Sequence, residues 1–536
     1  MIGAGRLSAL CLSAVVLAGC ARDWPAPCEE CGTLVVAAAG EPSSLLPPLV
    51  YETVGRDITD RVYERLADLA AGAAPIDPAG YTPGLAERWE RVDSLTLRFH
   101  LRPGAAWQDG VPVTAADVAF SFDAYADPVL DTEAGPALQG QVTVAAEDSS
   151  TVLVRFARAY PEQLYDATWH VRIIPEHIWA PIPREQWAAD TLLAHLVGSG
   201  DYRVVNWTRD QSLRLEAVPG SAAAVTRIIW RFVPDPDAAV NLLLAGEADL
   251  VEQLGAPSRI ARVAADSSAQ LLRYPSAVYG FLGFRLQDAR GRSHPLLGDR
   301  TLRRALALGV DRPTLAAGVF GAGTVAPSGP MSQLLWINSP DIRTLPYDTA
   351  GAARLLDSLG WHAGKDGTRA RGSRLLRFDI LVPGTSPSRR DLAQALQQSW
   401  KVIGADVTIT AVDFPVFNQR LAQGDFDSYI GAWLDEPSPR GLADQWTRSG
   451  WGKLNFGRYD NPRFDALFAG AVAAPDTATA GPMYRAAMDT LNADAPALFL
   501  YAPTQVAGAS RRITGILIDP YSWLSGVTGW RAGPRP

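Results

Sequence analysis

The sequence is poor in the residue types on which most enzyme and metal chemistry is built. Its 536 residues include four cysteines and six histidines. The histidines (His100, His170, His177, His195, His294, His362) never take the His-Glu-x-x-His spacing of a zinc hydrolase. There is no Gly-x-x-x-x-Gly-Lys-Ser/Thr loop to cradle a phosphate, and the Gly364-Lys365 step lacks both the spacing and the hydroxyl. No Gly-x-Ser-x-Gly elbow presents a nucleophile. Lysine is nearly absent, with only Lys365, Lys401 and Lys453, which we attribute to a GC-rich coding sequence. Forty-nine basic against fifty-seven acidic residues give a net charge of −8, which lacks the basic footprint of a nucleic-acid binder. These absences predict a protein that is not an enzyme, with no cofactor, no metal and no nucleic-acid partner.

What is present is ordinary globular material: 47% hydrophobic and 20% charged residues, with Gly and Pro below the range of disordered chains. At ~150 residues per domain the length allows three or four units. Residues 1–19 read as a signal peptide. Arg6 provides the positive start, and Leu7 to Ala18 is an apolar run of twelve. A helix of that length spans roughly 18 Å, too short for a ~30 Å hydrocarbon core. Leu17-Ala18-Gly19-Cys20 is similar to a bacterial lipobox, so Cys20 is the expected lipidation site and membrane tether. Residues 20–32 then form a stalk. Cys28 and Cys31 in it are a local disulfide or free thiols, since a zinc site wants four ligands and none lies nearby. No later segment offers 18 apolar residues in a row.

Hydrophobic periodicity predicts a mixed α/β chain. Leu34 to Ala39 reads as a buried strand. Asp57 is expected to cap a helix carrying Ile58, Val62, Leu66 and Leu69 on one face. Leu95, Leu97, Phe99 and Leu101 alternate as a half-buried strand, as do Val152, Val154 and Phe156. Thr114 and Asp117 have capping-box spacing ahead of Val118, Phe122 and Tyr125. Farther on, Asp348 starts a helix that Gly360 ends. A strand at 376–382, a helix from Leu392 to Ile403 and a strand from Val407 then form a βαβ unit, whose two strands should be parallel.

One block carries a family resemblance. It runs from Pro83-Gly84-Leu85-Ala86-Glu87-Arg88-Trp89 through Leu97-Arg98-Phe99-His100-Leu101-Arg102-Pro103-Gly104 to Trp107-Gln108-Asp109-Gly110-Val111-Pro112-Val113-Thr114. It resembles the signature of the family 5 extracellular solute-binding proteins, the peptide- and nickel-binding receptors of ABC importers. Gly198-Ser199-Gly200-Asp201-Tyr202, Asp299 to Leu306, Asn461-Pro462-Arg463-Phe464-Asp465 and Asp494-Ala495-Pro496 resemble further segments in the same order. The resemblance implies an α/β, two-lobed periplasmic-binding-protein-like fold of the larger, three-domain type (cluster C). Domain I would comprise residues 33–68, 189–275 and 498–536, domain II residues 69–188, and domain III residues 276–497. The implied partners are a di- or oligopeptide and the permease subunits, and the implied place is the cell envelope. A monomer is expected. A non-peptide solute (nickel chelate, oligosaccharide or opine-like compound) is the alternative, and an envelope enzyme is the reading from another class.

The resemblance also suggests where ligand is touched. Relatives place a carboxylate just after a Gly-Trp step in the second lobe. Here the stretch is Gly431-Ala432-Trp433-Leu434-Asp435, with Asp435 offset by one residue and the loop after it shortened. Asp435 is expected to face an ammonium, with Trp433 and Leu434 beside it. Tyr51, Glu52 and Thr53 in the first lobe, Tyr279 at the start of the second, and Phe414 after a strand complete the expected set. Arg285 stands where the family carries Asn, and it is expected to reshape the cleft.

Overall fold

A computed structural model describes residues 32–534. The expected signal peptide, the expected lipidation site Cys20 and the Cys28–Cys31 pair lie outside the described residues. Three principal sheets organise the chain. The first has seven strands in the order Ala269–Pro275, Thr504–Ser510, Leu250–Val251, Thr33–Ala38, Arg227–Phe232, Ser212–Ala217, Tyr202–Thr208. Its central strand Thr33–Ala38 is buried at every position and runs parallel to both neighbours. That continuous apolar run is what a parallel strand covered on both faces requires. The second sheet has five strands in the order Asp406–Val412, Arg377–Pro383, Ser428–Leu434, Val278–Phe284, Ala497–Tyr501. The third is a four-stranded antiparallel sheet of Ala86–Asp93, Thr96–Leu101, Thr151–Phe156 and Val142–Ala146. We refer to these as the first lobe, the second lobe and the insert.

Each sheet has its own apolar core. The second lobe packs Phe378, Leu392, Leu396 and Trp400 between helix Pro387–Val402 and its sheet, and Trp400 Nε1 donates to the Leu306 carbonyl. The insert buries Leu97, Phe99, Val118, Phe122, Val152 and Val154 together. The first lobe gathers Leu34, Val36, Ile58, Trp230 and Trp530. A buried ion pair stitches that lobe: Arg512 Nε and Nη2 reach Asp249 at 2.6 and 2.5 Å, and Asp249 also accepts from the Val35 N–H. Three distant chain segments meet at that carboxylate.

Much of the periodicity reading matches these elements. Strands Arg377–Pro383 and Asp406–Val412 pair in parallel around helix Pro387–Val402, as a βαβ unit should. The capping box forms, with both the Thr114 N–H and hydroxyl donating to Asp117. Asp348 caps helix Thr349–Ser358 through the Gly351 N–H. One expectation fails. The helix assigned to an Asp57 cap spans Thr53–Val62, so Asp57 lies inside it, and Leu69 belongs to strand Ala67–Leu69. Asp57 is not a cap because its carboxylate is used in tertiary structure, accepting from the Trp523 N–H at 2.8 Å.

Candidate ligand cleft

Register and direction locate the cleft. In the first lobe, strands Thr33–Ala38, Arg227–Phe232 and Leu250–Val251 are parallel and end on one edge. In the second lobe, Arg377–Pro383, Asp406–Val412 and Ser428–Leu434 are parallel and likewise share an edge. The chain passes from first to second lobe between Pro275 and Val278, and returns between Tyr501 and Thr504. Both crossings leave at these carboxyl edges: Pro275 pairs with Thr504, and Val278 pairs with Leu434. The Ser276 N–H donates to the Pro503 carbonyl, so the two linkers lie side by side. The carboxyl edges of two open α/β sheets therefore face one another across a paired hinge. Ligands of such sheets bind outside the carboxyl ends of strands.

On the second-lobe side, Asp435 follows the last residue of Ser428–Leu434. Its N–H donates to the Ala277 carbonyl at 2.7 Å, which fixes it against the outgoing linker. The residue is 6% exposed, and its carboxylate accepts from the Ser332 N–H at 2.5 Å. Among the described residues no arginine, lysine or histidine pairs with it. Burial, offset in part by hydrogen bonds from Ser332, pushes its pKa up to about 7. A buried carboxyl without a countercharge is held towards its neutral form because the anion has lost its hydration. Leu434 beside it is 63% exposed, and Phe414, the first residue of helix Phe414–Gln423, is 49% exposed. Trp433 is half-buried and stacks on Phe456 at 6.5 Å. These four share the carboxyl edge.

Two expectations need correction. Tyr279 is not an exposed contact but lies beneath the cleft edge, near enough to Asp435 that this carboxylate, after burial, raises its pKa. It is fully buried in a strand covered on both faces, and its hydroxyl donates to Gln445 and accepts from Trp446 Nε1. Arg285 does not shape the cleft either. It follows Phe284, which pairs with Ser428 at the opposite edge of the sheet, and its guanidinium donates to the Gly424 carbonyl.

On the first-lobe side, Tyr51 leads into helix Thr53–Val62, with Glu52 at its N-cap and Thr53 its first residue. Tyr51 is half exposed, but its hydroxyl donates to the Asp131 carbonyl of the insert at 2.7 Å. Burial pushes the Glu52 carboxyl up, but hydrogen bonds from Ser43 and from the Glu52 and Tyr51 backbone together hold it below its ordinary value. Thr53 is exposed. Periodicity missed a buried acid pair nearby. Glu252 directly follows strand Leu250–Val251, and burial pushes it up to about 7. Asp57 is raised by burial and then by the Glu252 charge. Each keeps one buried carboxyl oxygen without a partner. Only the strand-end position of Glu252 could have marked it in the sequence.

The second lobe and the insert also touch through a charged clasp. Arg440, just past the shortened loop, reaches Glu162 at 2.5 Å and grips Asp166 with two N–H groups at 2.5 and 3.0 Å. Glu162 and Asp166 belong to the insert and are buried. Ser438 donates to Glu162 at 2.6 Å. Burial raises Glu162 despite Arg440, whereas hydrogen bonds from His170 and Arg440 overcome burial at Asp166 and hold it down to about 2. The guanidinium also lies over the rings of Tyr160 and Tyr165, at 5.6 and 6.0 Å. A separate cavity of about 980 Å³ lies between insert and first lobe, around Tyr63, Ser199 and Tyr202. Tyr202 starts its strand at the amino edge of the sheet, away from the cleft.

The arrangement offers two facing strand edges, a hinge and a buried uncompensated acid. Among the described residues no group of three or more His, Cys, Asp or Glu side chains could hold a metal ion. No helix among them is long and apolar enough to cross a membrane. Known proteins agree with the architecture. Heme-binding protein A of Haemophilus influenzae is 24% identical over 522 residues, covering 92% of this chain and 91% of that protein. The dipeptide-binding protein of Escherichia coli is 23% identical over 519 residues, covering 91% and 92%. The structure of the oligopeptide-binding protein AppA from Bacillus subtilis, in complex with a nonapeptide, superposes with a TM-score of 0.70 at 21% identity, covering 94% and 99%. The family model for bacterial extracellular solute-binding proteins, family 5 (middle), matches residues 80–453. With that span exceeding half its length, the chain belongs to the bacterial extracellular solute-binding proteins of family 5, a family of non-enzymatic receptors that serve ABC importers.

Proposed function

We propose that this receptor captures peptides between its lobes and hands them to the permease of an ABC importer. The observation that carries the reading is Asp435: a buried carboxyl at a strand end, on the hinge, with no cation of its own. A ligand ammonium entering there restores the missing countercharge and forms a charge-assisted hydrogen bond. Phe414, Trp433 and Leu434 on the same edge supply apolar and aromatic surface for side chains. Tyr51, Glu52 and Thr53 are the proposed first-lobe contacts, because they lead into the helix that follows the loop from strand Thr33–Ala38. Tyr279, buried beside Asp435, is proposed to support that carboxylate from below. We further propose three structural domains with the boundaries given above, corrected at one point: strand Ala497–Tyr501 pairs with Val278–Phe284 in the second-lobe sheet, so domain III runs to Tyr501 and domain I resumes beyond it; and we propose a membrane anchor on lipidated Cys20. Capture needs no bond chemistry: ligand stabilises the closed arrangement through contacts that the open one lacks.

The peptide reading is tested by calorimetry with tri-alanine and N-acetyl-tri-alanine. Tri-alanine should bind, and acetylation or Asp435→Ala should each weaken binding by at least about tenfold, the ~1.4 kcal/mol minimum expected for a charged hydrogen bond. Equal affinity for the two peptides, or an unaffected Asp435→Ala, would contradict it.

A second expectation concerns pH. Because Asp435 has a folded pKa near 7 against an ordinary 3.8, the folded chain holds its proton more tightly than the unfolded chain. Its contribution is therefore fully favourable below pH ~4 and is lost as pH rises to about 7, at up to ~1.4 kcal/mol per pH unit. Asp435→Asn removes that slope. The thermal midpoint of the variant should gain on the parent between pH 4 and 7 and hold a constant lead above; parallel curves would refute the assignment. The anchor is tested separately, by the intact mass of protein extracted from membranes. A diacyl or triacyl mass on Cys20 is expected, and an unmodified Cys20 would exclude the anchor.

A further inference from the structure

Glu436 follows Asp435 at the carboxyl edge of the second lobe. Its side chain is exposed and makes no ion pair among the described residues. Arg440, farther along the loop, is already answered by Glu162 and Asp166. The loop itself is fixed. The Asp435 N–H holds the Ala277 carbonyl on one side, and Ser438 holds Glu162 on the other. Pro437 restricts the Glu436 backbone to the extended region. Two tyrosines from the opposite side of the cleft meet this charge. Tyr165 of the insert is raised by burial and then by Glu436. Tyr521, in the last segment of the first lobe, is half-buried, and after burial the charges of Asp435, Asp519 and Glu436 raise it. Trp169 joins the two tyrosines, stacking on Tyr165 at 5.6 Å and meeting Tyr521 edge-on at 6.0 Å. The Tyr521 segment is anchored beside it, with the Ser522 hydroxyl donating to Asp60 and the Trp523 N–H to Asp57. Two successive acids of the second lobe, neither paired with a cation of this chain, therefore stand against a fixed aromatic wall.

We propose that Glu436 is a specificity-determining residue that selects a basic side chain on the first residue of the ligand, with the α-ammonium on Asp435 and the side-chain cation on Glu436 against Tyr521. The proposal rests on the peptide reading above. An arginine or lysine at the amino terminus carries two positive charges joined by one flexible side chain. Two successive residues, ~3.8 Å apart along the backbone, can answer both. A guanidinium suits the place because it pairs with a carboxylate while lying on an aromatic ring. An acidic first residue would meet Glu436 with like charge and is rejected by the same group.

The test is calorimetry on the mature chain, at physiological ionic strength, with the peptides Arg-Ala-Ala, Ala-Ala-Arg and Glu-Ala-Ala. The first two have the same net charge, so general attraction to an acidic protein cannot separate them. Arg-Ala-Ala is expected to bind about fivefold more tightly than Ala-Ala-Arg, the scale of a partly exposed ion pair with an aromatic contact. Glu-Ala-Ala should bind more weakly than either. Glu436→Gln should erase the preference for Arg-Ala-Ala over Ala-Ala-Arg, and Tyr521→Leu should reduce it. The comparison in the parent protein stands even where a variant fails to fold. Equal affinities for Arg-Ala-Ala and Ala-Ala-Arg, or a preference that survives in Glu436→Gln, would overturn the proposal and leave the peptide reading intact. Failure of all three peptides to bind would overturn the peptide reading, and this proposal with it.

Discussion

The structure depends on one constraint: the chain crosses between lobes twice, and both crossings sit at the carboxyl edges of the two parallel-centred sheets. The Ser276–Pro503 hydrogen bond ties the crossings together. With the linkers adjacent, the lobes have an axis to move about and little freedom otherwise. The strand ends of each sheet are thereby aimed at those of the other. Loops that in a single α/β domain would face solvent become the two walls of a cleft. Ligand selection needs only side chains placed on those loops, which is why the sheets can carry a binding function with no catalytic constellation.

Charge is divided unequally along the junction. Arg440 is saturated by Glu162 and Asp166, and Ser438 completes the cluster. Desolvating such a group is costly, and only full hydrogen bonding makes burial tolerable. Asp435, three residues before Ser438, has no such compensation. The same short loop therefore holds the second lobe against the insert at one end and leaves a buried acid without a countercharge at the other. Pro437 and Pro439 stiffen the connection, so the two ends are not independent. Glu252 and Asp57 show a related condition on the first lobe: buried acids pushed towards neutrality by burial, at a strand end and in the adjoining helix.

Fold class was legible in the sequence because its strongest signals are local. Alternation gave the insert strands, and the 3.6-residue period gave helices Thr349–Ser358 and Pro387–Val402. A strand-helix-strand order implies parallel pairing with little ambiguity. The site was less legible, for physical reasons. Tyr279 and Trp433 are paired neighbours on adjacent strands, yet one is core and the other lies near the lip. Periodicity cannot separate them, because an apolar run in a doubly covered strand has no polar face to orient it. Asp57 looked like a cap because its partner, the Trp523 N–H, lies 466 residues away. The Arg440 clasp is likewise a product of tertiary structure alone, since its acids lie more than 270 residues earlier.

The central claim is that a peptide occupies the space between these strand ends. Its most direct test is native mass spectrometry of the chain from Arg22 onward, purified without denaturation and compared with the same sample denatured. The account predicts a native excess mass that resolves on denaturation into a series of peptides. A single non-peptide mass, or native and denatured masses that coincide, would contradict it.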